Sequence, residues 1–239
     1  YMLMRSIVYK TPYMYYDSRF ASLFSELLER ADVSFSRALT TSWENEPYDK
    51  IISYSDATPI IVLKNGKVYV PIYPYFAGGN VVPSTFQNRD ASRCDLPKKY
   101  YKGPFTAMKI PGSTAEDNVR TVDVKASVDG GLLHIVRQST STGCEKEGLA
   151  MTLASAEEMA QSWGKPYGME TYESLLLEKK SKAEGLAKER AEKDKQDIEE
   201  RFKDEVKSFH DKAPVKINAT RVTSFGNDNQ PFTYQTDYM

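Results

Sequence analysis

The sequence lacks most of what usually marks a catalytic centre. Its 239 residues include two cysteines, Cys94 and Cys144, and two histidines, His134 and His210. None stand at CxxC or HxxxH spacing, so neither a zinc site nor any other cofactor is expected. Charge of one sign is missing too. The net charge is −1, with acidic and basic residues mixed throughout, so the positive field that draws nucleic acid is absent. No run of about 18 apolar residues occurs, so no membrane-spanning helix is expected. The longest candidate, Val68 to Ala77, is apolar only if its tyrosines and prolines are counted. The chain opens Tyr1-Met2-Leu3-Met4-Arg5 and runs straight into patterned sequence. No signal peptide is therefore expected, and the initial tyrosine points to a piece of a longer protein.

Glycine-based motifs are lacking as well. Gly78-Gly79 and Gly130-Gly131 are isolated pairs in turn contexts, not phosphate loops. Gly112-Ser113 lacks the second glycine and the following helix of a serine nucleophile elbow. Asn218-Ala219-Thr220 matches a glycosylation acceptor, a pattern too short to carry weight.

What is present is regular patterning and sixteen tyrosines, which suit half-exposed sheets. Phe20, Leu23, Phe24, Leu27 and Leu28 form one helical stripe, with Asp17 and Ser18 ahead of it as N-cap residues and a stop near Ala31-Asp32. Val33 to Leu39 alternates as a strand does. Ile60-Ile61-Val62-Leu63 and Val68-Tyr69-Val70 flank Asn65-Gly66, a strong hairpin signal. Pro71 and Pro74 end the second strand, and residues 75–104 read as a long irregular connection.

A second β unit follows. Val119 to Ala126 alternates, Asp129-Gly130-Gly131 turns, Leu132 to Val136 returns, and Gly143 closes the next bend. Ser155 and Glu158 form a capping box, and Gly164-Lys165-Pro166 breaks the helix that it opens. About two thirds of residues 178–205 are charged. Leu175, Leu186, Ile198, Phe202, Val206 and Phe209 run through this segment as a thin apolar line, so a helix from Glu170 to Lys212 is expected, with its C-terminal half packed and a bend or fray near Gly185. Its carboxylates read as a solvated face. Val215 to Tyr238 is extended, with a turn at Phe225-Gly226-Asn227-Asp228.

A thiol nucleophile needs a base within reach. Cys94 falls in the irregular connection and Cys144 just after a strand, while His134 sits between Leu133 and Ile135 and points away from them in an alternating strand. A working Cys–His pair is not expected. Whether the cysteines form one disulfide or remain two thiols is open.

The order helix, strand, Asn65-Gly66 hairpin and then Val81-Val82-Pro83 resembles the latter part of the transglutaminase-like domain in secreted multidomain proteins of Bacteroidetes. Tyr75 to Pro83 is similar to that family's loop out of the core, and Thr121 to Gly143 to the β-rich domain after it. The resemblance implies export, to the periplasm or cell exterior, and a protein or cell-envelope partner. In active members a cysteine opens the helix, a histidine opens the next strand and an aspartate ends its hairpin partner. Those positions fall here at Asp17, at Ala57 or Thr58, and at Pro71 or Ile72. None carries the required chemistry.

The expected fold is α+β: a small helix-plus-antiparallel-sheet part, residues 1–105, then a β-rich domain, residues 106–239, with a helical insertion at 155–212. The expected function is binding or assembly by a non-catalytic, transglutaminase-like fragment. Two alternatives stand beside it. One is a cysteine-dependent enzyme whose active residues lie outside this stretch. The other is a scaffold that docks through the 170–212 helix.

Overall fold

The computed structural model describes residues 17–51, 53, 56–70, 81–94, 104–155, 158, 162, 180–210, 215–226 and 230–239. The chain divides into two compact units, Tyr1–Thr114 and Ala115–Met239. Each is built around an antiparallel sheet, so the fold is α+β and dominated by sheet, as the patterning implied. No helix among the described residues is long and apolar enough to cross a membrane.

The first unit begins with helix α1, Asp17–Arg30. Asp17 and Ser18 lie inside its first turn instead of ahead of it. The face turned to the sheet is Ala21, Phe24, Ser25 and Leu28, with Leu27 exposed at its margin. Of the expected stripe, Phe24 and Leu28 are half-buried and Leu27 is exposed, while Phe20 and Leu23 lie outside the described side chains. Asp32 closes α1 in the left-handed region, φ 53°. Val33 N donates to Leu28 O at 2.9 Å and Asp32 N to Glu29 O at 3.2 Å, a Schellman end without glycine.

Strands β1 (Phe35–Thr40), β2 (Thr58–Leu63), β3 (Val68–Tyr69), β4 (Asp90–Cys94) and β5 (Thr106–Lys109) form one sheet in the order β3-β2-β1-β4-β5. The β2–β3 hairpin is the one expected at Asn65-Gly66. Gly66 takes φ 84°, and Asn65 Oδ1 accepts from Lys67 N at 3.1 Å. Ile60, Ile61 and Val62 are all buried, because both faces of this sheet are covered. Ala38, Ile60, Val62, Val68, Phe86, Ala91 and Ile110 form the core on one face. On the other, Ser25 of α1 accepts from Arg37 Nε at 3.0 Å, and Phe24 meets Tyr69 edge-on at 5.3 Å.

Strand β4 lies inside the stretch that read as an irregular connection, and it pairs with β1 and β5. Asp90-Ala91-Ser92-Arg93-Cys94 has no β-branched residue, so local propensity gives no sign of it; partner strands on both sides supply the stabilisation. For the same reason β5, which follows the boundary expected at residue 105, belongs to the first unit.

The second unit holds β6 (Arg120–Asp129), β7 (Leu132–Ser141), β8 (Ile217–Phe225) and β9 (Phe232–Tyr238), ordered β6-β7-β9-β8. Gly130 and Gly131, at φ 55° and 80°, make the tight turn of the β6–β7 hairpin. Among its described residues the unit also holds the short helix α2 (Leu149–Leu153) and the long helix α3 (Lys180–Lys207). Val206 packs with Ile135 and Tyr238, and the Phe202 ring lies 6.0 Å from that of Tyr234. The C-terminal half of α3 therefore packs on the sheet, as its denser stripe implied.

Phe209 departs from that stripe. It lies beyond Lys207, where the helix ends, and is half exposed. Helix α3 also runs unbroken through Gly185, whose cost of about 1 kcal/mol is small beside the rest of the helix. Residues 170–179, 211–212 and 164–166 of the expected helical segment lie outside the described residues. The capping box forms: Glu158 N donates to Ser155 Oγ at 3.1 Å, and Ser155 N to Glu158 Oε2 at 2.9 Å.

Candidate functional site

The positions mapped from the transglutaminase-like resemblance fall on ordinary structural residues where they are described. Asp17 is the first residue of α1; Ala57 precedes β2 and Thr58 opens it, paired with Thr40. Pro71 and Ile72 lie outside the described residues. Ala21, Ser22, Arg37, Pro59, Ile60 and Ile61, from α1, β1 and β2, line a cavity of about 10 Å³, the room of one water molecule.

Cys94 and Cys144 are not joined in a disulfide. Cys94 is buried at the end of β4, not in a loop, and Cys144 is half-buried in the 3-10 turn after β7. Among the described residues, no group of three or more His, Cys, Asp or Glu side chains gathers to hold a metal.

His134 has a partner that the sequence did not suggest. Its Nε2 lies 2.8 Å from Asp237 Oδ1, and Asn218 Nδ2 donates to the same oxygen at 2.8 Å. The bond from Asn218, then that from His134, holds the Asp237 carboxyl below its ordinary value. Ser127 stands opposite His134 in the β6–β7 register, and Asp237, paired with Val136, stands one diagonal step from His134, so the three form a slanted row across three strands. The row lies open on the sheet face away from α3. No hydrogen bond joins Ser127 to His134, so the serine is not activated there.

A buried polar cluster lies between α3 and the sheet of the second unit. Glu205, expected on a solvated face, receives Arg137 Nη2 on one carboxylate oxygen and Tyr234 OH at 2.6 Å on the other. Arg120 Nη2 donates to the Tyr234 hydroxyl at 2.7 Å. The Arg137 side chain is only 3 % exposed, and the Phe209 ring lies 4.0 Å from its guanidinium carbon. Nε and Nη1 of Arg137 have no partner among the described residues. A charge so enclosed needs its counter-ion, which makes this a structural pair between helix and sheet. The spacing of Phe202 and Val206 could have hinted at it, since Glu205 lies between them on the packed side of α3.

Burial, and then the bond to Glu205, raises the Tyr234 hydroxyl above its ordinary value of 10.0. The folded state therefore favours the neutral phenol. Tyr234 contributes stability that is fully present below its unfolded pKa and is lost as pH rises through the raised folded value. Thermal melts from neutral to strongly alkaline pH should show wild type losing stability past about pH 10. Tyr234→Phe should begin less stable and lose less over the same range. Equal alkaline losses in both proteins would show that Tyr234 is not the group responsible.

Compared with protein-family models, curated proteins and solved structures, the chain matches none. What distinguishes the second unit is therefore its own surface. Val122, Val124, Val128 and Leu133 are 40 %, 56 %, 74 % and 50 % exposed. Register places all four on the sheet face that α3 covers further along, over β7 and β9. Strand β6 lies at the edge of the sheet, beyond the helix.

Proposed function

We propose that the chain is a non-catalytic binding or assembly module of an exported protein, and that it works through the β6–β7 hairpin. The supporting observation is the row Val122, Val124, Val128 and Leu133, left in water on a well-paired hairpin. A contiguous apolar surface of this kind is costly to expose and marks a docking face. A protein partner suits it better than nucleic acid, because the chain has a net charge of −1.

The transglutaminase-like resemblance of the first unit belongs to this reading on element order alone: helix α1, strand β1 and the Asn65-Gly66 hairpin. Asp17, Ala57 and Thr58 cannot supply a thiolate and an imidazole, so no acyl transfer is expected there. The protein incubated with amine and glutamine donors should show no turnover, before or after alkylation of Cys94 and Cys144. Turnover that alkylation abolishes would overturn the non-catalytic reading.

A further inference from the structure

Among the described residues, strand β6 has an unpaired outer edge with a defined set of outward polar groups. Thr142 N donates to Val119 O at 2.9 Å, which turns the backbone of Val119 inward to β7. In an antiparallel ladder, inward and outward residues alternate. Thr121, Asp123, Lys125, Ser127 and Asp129 therefore bond to β7, while Arg120, Val122, Val124, Ala126 and Val128 present N–H and C=O groups outward. The sheet order β6-β7-β9-β8 leaves that edge unpaired among the described residues.

Edge strands are commonly blocked by proline, a bulge or a like-charged rim. Strand β6 has no proline, and its register with β7 is unbroken from Arg120↔Ser141 to Asp129↔Leu132. Its central charges are opposite in sign, with Asp123 and Lys125 on either side of Val124.

We propose that this edge pairs with the same edge of a second copy, antiparallel about a two-fold axis at Val124, an inference that rests on the binding reading above. With the axis there, the outward groups of Val124 meet those of the other Val124, and Val122 stands opposite Ala126. Asp123 of each copy faces Lys125 of the other in the close, non-hydrogen-bonded positions, where opposite charges attract.

Neighbouring registers lose this match. An axis at Ala126 sets Asp123 against Asp129, and an axis at Asp123 or Lys125 sets a charge against itself. An axis at Val122 leaves Lys125 opposite Val119. At Val124 the exposed valines of both copies join into one row on the helix-covered face. Strand pairing alone buries less than a permanent interface does, so the dimer is a concentration-dependent one.

Sedimentation velocity on the full chain, from about 1 μM to several hundred micromolar, should show monomer passing to dimer and nothing larger. Val124→Pro removes an outward N–H without touching the ladder to β7, and should leave monomer. Asp123→Lys and Lys125→Asp should each weaken the dimer by about tenfold to a hundredfold. An equimolar mixture of these two variants should recover a dimer, because each then meets its complement.

Monomer at every concentration, a dimer indifferent to these substitutions, open-ended oligomers, or a mixture no tighter than its components would overturn the proposal. If Val124→Pro does not fold, the two charge reversals decide, since they change only exposed side chains. A persistent monomer without turnover sinks self-pairing but leaves the binding reading standing. Thiol-dependent turnover sinks the binding reading itself.

Discussion

Glu205→Ala is expected to destabilise the second unit by about 3–5 kcal/mol, the usual consequence of leaving a buried charge without its partner. Arg137, 3 % exposed and stacked under Phe209, would lose its counter-ion and has no water-facing route to replace it. Tyr234 OH would lose its acceptor in the same change. Chemical denaturation followed by circular dichroism measures the loss. A charge-free pair, Glu205→Leu with Arg137→Met, should be less damaging than Glu205→Ala alone, because neither charge then remains buried. A small loss from Glu205→Ala would mean that Arg137 finds another partner. In that case the helix is not pinned to the sheet by this pair.

In the first unit, Ile60→Ala should cost about 2–5 kcal/mol. Ile60 is fully buried at the centre of β2, packed with Ala38, Val62 and Phe86. Its strand has neighbours on both sides, β1 and β3, so the sheet cannot easily collapse into the space. Exposed Val33→Ala serves as a control and should fall within about 0.5 kcal/mol of wild type. Equal effects at Ile60 and Val33 would contradict the two-faced burial of this sheet.

These two residues mark what was legible in the sequence. Ile60 sits in a short β-branched run beside Asn65-Gly66, so its burial follows from local pattern and turn chemistry. The β6–β7 hairpin was legible likewise, from alternation on both sides of Gly130-Gly131. Helix α3 was legible in its C-terminal half, where Phe202 and Val206 fall at helical spacing. Strand β4 was not, since Asp90-Ala91-Ser92-Arg93-Cys94 has a polar composition and gains its structure from β1 and β5. Nor was Phe209, which follows the helical spacing but lies past the end of α3.

The polar sites divide along the same line. Asp17, Ala57 and Thr58 could be judged unfit for thiol chemistry from residue identity alone. His134–Asp237 and Glu205–Arg137 could not be foreseen, since their partners lie 103 and 68 residues apart in the chain. The sequence by itself determined the Asn65-Gly66 and Gly130-Gly131 hairpins, helix α1 and the C-terminal half of α3, because those depend on neighbours within a few residues. Tertiary structure alone decided which glutamate is buried, which histidine meets an aspartate and which strand is left at an edge. Those outcomes depend on pairing between distant segments, and local pattern carries no record of it.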